Sequence, residues 1–301
     1  MSTVLRIGTR DSALALWQAE KVKALLEANG HQCELVAIKS EGDLDLSTPI
    51  YQMGLTGVFT KTLDAALLTH RIDIAVHSLK DVPTILAEGL HIAAVLQRAN
   101  PFDVLVKGTN PSATTVATGS LRRKAQWLSR HPNDQVIGLR GNVQTRLDKI
   151  VGQDLKGGIF AAAGLERLGF DSLETETLDW MLPAPAQGAI AIATLADNTQ
   201  ATERCAQIND RQTELCVTLE RAFLNRLEGG CSSPIGAHAQ INGDSLHFEG
   251  ALFSLDGSQS ARVARQLPVN QALDQVQSLV TELLENGGHA IMKTLRHGQN
   301  S

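Results

Sequence analysis

The sequence predicts an α/β fold in two or three domains, and three observations carry that prediction. Short apolar runs such as Ile72, Ile74, Ala75 and Val76 follow segments with helical spacing, the pattern of buried strands in a parallel sheet. The strand and helix pattern then recurs along the chain. At 301 residues there is room for more than one core, and 43% hydrophobic with 20% charged residues is an ordinary globular composition.

Taken in order, Val4 to Gly8 reads as a strand, and Asp11 or Ser12 can cap a helix running to about Asn29, with Gly30 as its stop. Leu14, Trp17, Val22, Leu25 and Leu26 fall near one face of it. Arg10 then lies in the strand-to-helix turn, beside amide donors that favour an anion; an exposed arginine with no ligand is the other reading. Glu34 to Ile38 is the next strand. Residues 39 to 57 break the rhythm with glycines, a proline and mixed charge, which suggests a lid or loop. Val58 to His70 is helical, with Lys61 off its packing face.

The strand after that helix ends in His77, Ser78, Lys80 and Asp81, closed by Pro83. Ligands of open α/β sheets collect outside the carboxyl ends of strands, so these side chains are site candidates. A solvated Lys80–Asp81 pair in a strand-to-loop turn is the reading these residues favour on their own, so the case for a site must come from the rest of the chain. Ile92 to Leu96 and Phe102 to Val106 are further strands, and the QRANP segment between them reads as a crossing between domains.

A second α/β unit follows. Thr115 to Thr118 is a strand, and the helix after it opens with Gly119, Ser120, Arg122 and Arg123; small residues, a hydroxyl and two guanidinium groups suit a carboxylate or phosphate. Val136 to Leu139 ends in Arg140, before a helix bearing Arg146, and Ile159 to Ala163 leads to Arg167. Three successive strand ends therefore deliver arginine in a chain of net charge -5, which points to an anion-binding cleft. Leu182 to Leu195 begins stiffly and ends in an apolar strand suited to return the chain to the first lobe, as a second hinge opposite QRANP. Asp210 to Leu227 is a long helix ending at the GGCSSPIG loop. Two strands, Ser245 to Phe253 and Ser260 to Leu267, and a helix from about Asn270 to Glu285 complete a smaller C-terminal domain.

Several classes are disfavoured. The acidic total and 4% aromatic content argue against a nucleic-acid partner. No apolar run reaches the roughly 18 residues a membrane span needs, and the chain opens on a strand pattern rather than a signal peptide, so a cytoplasmic location is expected. Cys33, Cys205, Cys216 and Cys231 are far apart with no C-x-x-C pair, so neither a metal cage nor a disulfide framework is expected. Cys231 alone lies between glycines and serines and looks accessible; the others lie in apolar segments.

HSLKDVP, TGSLRR, LRGNVQTRL, AAAGLERLG, LPAPAQGA and LEGGCSSPIG, in this order and spacing, closely resemble the porphobilinogen deaminase (hydroxymethylbilane synthase) family over nearly the whole chain. The resemblance implies two lobes like those of type II periplasmic binding proteins with a cleft between them, plus a smaller C-terminal α/β domain. The expected divisions are 1-97 with 187-206, 102-183, and 210-301. It implies a transferase that condenses four porphobilinogen molecules head to tail, with loss of ammonia, into hydroxymethylbilane for later tetrapyrrole cyclisation. A dipyrromethane cofactor would be held on Cys231 by a thioether, a bond suited to a thiolate meeting a methylene electrophile.

On the same resemblance Asp81 is the catalytic residue, its carboxylate stabilising the cationic pyrrole and moving protons. Lys80, Asp81, Thr118, Ser120, Arg122 and Arg123 would contact the cofactor; Arg10, Arg140, Arg146, Arg167 and Gln187 would contact substrate and growing chain, because guanidinium forks suit acetate and propionate groups. Lys61 belongs to the expected lid. Two departures stand out: Thr56 replaces a lysine common in relatives, and ATGSLRR lacks one serine hydroxyl. A monomer with no metal is expected. A two-lobed solute-binding protein would leave Cys231 and the third domain unexplained, and a cysteine hydrolase lacks a nucleophile-base signature.

Overall fold

The structure, a computed structural model, describes residues 4–39, 60–227 and 233–299. β1 (Leu5–Arg10) pairs in parallel with β2 (Cys33–Ile38), and α1 (Ala13–Ala28) crosses between them. Ser12, rather than Asp11, caps α1, its hydroxyl accepting from Ala15 N. After α2 (Lys61–Leu68) comes β3 (Ile74–Ser78), parallel to β1 on one side. β4 (Leu90–Val95) lies at the edge of this sheet, and β10 (Ile190–Leu195) inserts between β3 and β4, antiparallel to both. Pairing is therefore parallel on one side of β3 and antiparallel on the other, because the returning chain enters from the opposite end.

The second sheet is built from β5 (Asp103–Lys107), β6 (Thr115–Ala117), β7 (Gln135–Ile137), β8 (Gly157–Ala161) and β9 (Thr175–Thr177), with α3 (Leu121–Arg130), α4 (Val143–Val151) and α5 (Ala162–Arg167) following β6, β7 and β8. Its order, β7-β6-β8-β5-β9, repeats that of the first sheet, β2-β1-β3-β10-β4. In each, the strand that has just crossed from the other lobe takes the fourth place and runs antiparallel. Ile7, Ile74, Val76 and Ile192 fill the first core, and Val106, Leu147, Ile150 and Phe160 the second. Burying each such side chain contributes about 1.5–3 kcal/mol.

The crossings run side by side, not apart. Leu96 N donates to Ile190 O at 3.0 Å and Ala99 N to Gly188 O at 3.2 Å. Gly188 has φ +87°, and a Cβ there would lie 2.6 Å from Ala99 O, so this close approach requires glycine.

The third domain packs α7 (Arg211–Arg226) and α8 (Val276–Leu283) on the antiparallel sheet β11 (Ile235–Asn242), β12 (Ser245–Phe253) and β13 (Ser260–Pro268), around Phe223, Phe248 and Leu279. It has three strands where the sequence suggested two. The helix expected from Asn270 starts at Val276, after a 3-10 segment, and α9 (His289–Gln299) follows a kink at Gly287. α6 (Thr199–Ala206), between β10 and α7, was also not expected; only Ala201, Arg204 and Cys205 of it are buried.

Candidate active site

The cleft chemistry begins where β3 ends. Ser78 accepts a hydrogen bond from Gln18 Nε2 at 2.8 Å, and the chain then makes one 3-10 turn, Leu79–Asp81, with Leu79 and Val82 buried on either side of Lys80 and Asp81. His77 is turned inward instead. Burial, and then the nearby Arg10 charge, push its imidazole down to about 4, so it is a neutral packing group rather than a fourth member of the site.

The facing lobe presents its cations from helix starts. Ser120 caps α3 by accepting from Arg123 N at 3.4 Å, which places Arg122 and Arg123 in the first turn. Both are buried, and both meet a residue the sequence reading missed, Asp103. Arg122 Nη1 donates to Asp103 Oδ2 at 2.7 Å and Arg123 Nε to Oδ1 at 3.0 Å. Asp103 opens β5, and because β5 enters antiparallel, its first residue lies beside the carboxyl ends of β6 and β8. Burial alone would raise that carboxyl, but the two guanidinium groups hold it well below the usual carboxylate range.

Gln187 joins the lobes. Lys80 Nζ donates to its Oε1 at 3.2 Å, and its Nε2 donates to Asp103 Oδ1 at 2.9 Å and Pro101 O at 2.7 Å. Lys80, Gln187, Asp103, Arg122 and Arg123 thus form one hydrogen-bonded series across the crossings. Burial pushes Lys80 down to about 8; Asp81 and Asp103 oppose that shift, while Arg123 and Arg122 add to it. Arg146 lies in the same field: burial, then Arg123 and Arg140, bring it down to about 10, against the pull of Asp81. Its Nε donates to Gly141 O at 2.7 Å.

The remaining candidates lie further out. Arg167 bridges the lobes, donating to Gly188 O at 2.6 Å while its guanidinium lies 5.8 Å from the Trp17 ring centroid. Arg10 ends β1 beside His77, Arg140 follows β7, and Thr118 is buried after β6, its hydroxyl accepting from Ser120 N at 3.3 Å. Lys61 is exposed at the first turn of α2. Cys231, Thr56 and the expected lid over 40–57 lie outside the described residues, while Lys39 is described. Cys205 and Cys216 are buried, their thiols pushed up by burial to about 12 and about 11, which fits packing and not reactivity. Among the described residues no group of three or more histidines, cysteines and carboxylates could hold a metal ion.

The arrangement fits a polycarboxylate pyrrole group. One carboxylate, Asp81, acts on the charge of Arg146, and Arg122 Nε is buried with no hydrogen-bond partner among the described residues. Guanidinium groups bind carboxylates through paired donors, and a carboxylate near them can accept from pyrrole N–H groups.

By fold and site this is a two-lobed α/β protein with arginines gathered where the lobes meet, and a smaller third domain. The porphobilinogen deaminase dipyrromethane cofactor binding domain matches residues 5–203, and the porphobilinogen deaminase C-terminal domain matches residues 214–285. The chain is 42% identical to a porphobilinogen deaminase of Geobacter sulfurreducens, over 96% of this chain and 93% of that one. It is 41% identical to another from Trichlorobacter lovleyi, over 96% of each. Among solved structures it is similar to an ancestral cationic amino acid solute binding protein, with 14% identity, TM-score 0.44 and coverage of 67% of this chain and 86% of that one. The Bordetella pertussis BvgS periplasmic VFT2 domain, at 14% identity, gives TM-score 0.41 over 68% of this chain and 86% of that one. The chain belongs to the porphobilinogen deaminase family.

Proposed function

We propose that this chain condenses four porphobilinogen molecules into hydroxymethylbilane, with Asp81 as the catalytic residue and Cys231 as the attachment point of a dipyrromethane cofactor. The observation that carries the reading is the hydrogen-bonded series, in a chain of this family, that joins the Lys80–Asp81 turn of the first lobe through Gln187 and Asp103 to Arg122 and Arg123 of the second. The cofactor, when bound, supplies the pyrrole carbon to which the first substrate is joined.

The chain's own residues do the rest. Arg10, Arg140, Arg146 and Arg167 bind the acetate and propionate groups that substrate brings, and Lys80, Thr118, Ser120, Arg122 and Arg123 hold those of the cofactor. Gln187 holds Lys80 in place at the crossing. The Asp81 carboxylate accepts hydrogen bonds from pyrrole N–H groups and stabilises the positive charge that develops when substrate loses its amine. It also takes the proton released when the new carbon bond rearomatises the ring. Residues 1-97 with 187-206, 102-183 and 210-301 serve as the three domains. The protein works as a monomer in the cytoplasm; among the described residues no helix is long and apolar enough to cross a membrane.

Intact mass and turnover together test this. Protein made in cells that synthesise porphobilinogen should carry an excess equal to two linked pyrrole units, absent in Cys231→Ser. Asp81→Ala should keep the excess and lose about 100-fold or more in turnover. An unmodified wild-type mass, or an Asp81→Ala variant with normal turnover, would overturn the corresponding assignment.

A further inference from the structure

The Asp81 turn is held from outside its own lobe. Arg221, in α7 of the third domain, donates from Nη1 to Val82 O at 2.8 Å and to Leu79 O at 3.3 Å, and from Nη2 to Pro83 O at 2.6 Å. One helical turn on, Asn225 Nδ2 donates to Thr84 Oγ1 at 3.2 Å from the same face. One guanidinium therefore gathers three carbonyls flanking Lys80 and Asp81 from two separate nitrogens, a spread that a planar fork of donors spans better than the single nitrogen of a lysine ammonium.

The helix that carries Arg221 is itself fixed. The preceding residue, Glu220, is fully buried, and its carboxylate accepts from Arg98 Nη1 at 2.6 Å, Ala186 N at 2.6 Å and Ala239 N at 2.7 Å. These partners belong to the first crossing, the second crossing and β11, so α7 can neither turn nor slide without leaving a buried carboxylate unpaired. Within the first lobe the turn has a weaker hold: Leu79 N donates to Ala189 O and Val82 N to Leu79 O, and the apolar cluster of Leu79 and Val82 with Val95, Ala189 and Ala191 completes it. Those groups anchor the ends of the turn and leave its carbonyl side to Arg221.

We propose that Arg221 is a positioning residue for catalysis, fixing the direction of the Asp81 carboxylate from the third domain. The inference rests on the reading of Asp81 as catalytic. Arg221 touches backbone carbonyls, so its loss would let the turn relax and shift the carboxylate; a displacement of about 1 Å can cost on the order of 100-fold in rate. Carboxylate binding by the arginines of the second lobe would be unaffected.

A mutant cycle in the cofactor-loaded enzyme decides it. Arg221→Gln should lower kcat per loaded, folded chain by roughly 10- to 100-fold with KM within about 2-fold, and Arg221→Lys by less. In an Asp81→Glu background, where the carboxylate is already displaced, the same Arg221→Gln change should cost only about 3-fold, since both act through one group. Equal losses in the two backgrounds, or unchanged kcat in Arg221→Gln, would overturn the role of Arg221 while Asp81→Ala stays inactive. Normal turnover in Asp81→Ala would instead remove the reading of Asp81 on which the inference depends.

Discussion

The two lobes share one strand order and differ in what the crossing strand brings to the junction. β5 brings Asp103 into the second lobe as a buried counter-ion for two guanidinium groups; the segment before β10 brings Gln187 into the first as a neutral link to Lys80. The two meet at 2.9 Å, Gln187 Nε2 to Asp103 Oδ1. The same topological position is thus used for charge compensation on one side and for alignment on the other. A cleft lined only with arginines would repel itself when empty. Asp103 removes part of that repulsion by pairing with Arg122 and Arg123.

The largest expected effect comes from breaking the charged half of this contrast. Asp103→Asn keeps the side-chain shape and leaves two buried guanidinium groups without a counter-ion, which should cost about 3–5 kcal/mol in urea unfolding. A loss below about 1 kcal/mol would mean that the arginines find solvent or other partners, and the contrast between the lobes would disappear.

The neutral half should break more gently. Gln187→Leu keeps volume but deprives Lys80 Nζ and Asp103 Oδ1 of a partner each, for an expected cost of about 1–3 kcal/mol. Combined with Asp103→Asn, the two losses should be non-additive, because both act on one hydrogen-bonded series. Strict additivity would show that the lobes are stabilised independently.

Much of this was legible in the sequence, for reasons that can be named. Strand ends are marked by a change from apolar to polar residues, so the turn with Lys80 and Asp81 and the arginines at positions 122, 123, 140, 146 and 167 stood out. Asp103 did not, because it lies at the edge of an apolar run and its meaning depends on β5 running antiparallel to β8. Glu220 and Arg221 read as ordinary charges on a long helix; Arg98, which pairs with Glu220, and Val82, which accepts from Arg221, lie more than 100 residues away, a separation no local pattern encodes. Gln187 was singled out, but its role as a link required the crossings to run side by side. β9 and α6 were missed because three exposed residues, Thr175–Thr177, and a sparse buried face give almost no periodic signal.

The two lobes also differ in how their stability responds to pH. His77 is buried and its folded-state value is pushed down to about 4, below the ordinary value of about 6.5. Between those values the unfolded chain binds a proton that the folded chain does not, so stability rises with pH there and is lost as pH falls from about 6.5 toward 4, by at most about 1.4 kcal/mol per pH unit. Asp103 behaves differently: its carboxyl is depressed, so its contribution is intact above the unfolded value near 3.9 and is lost only as pH falls below it. Urea midpoints from pH 7 to pH 4.5 should therefore fall less steeply in His77→Gln than in the unsubstituted chain, and Asp103→Asn should leave that slope in place. Identical slopes in the His77→Gln and unsubstituted chains would mean that His77 takes up its proton while folded, with Arg10 moving aside to admit it.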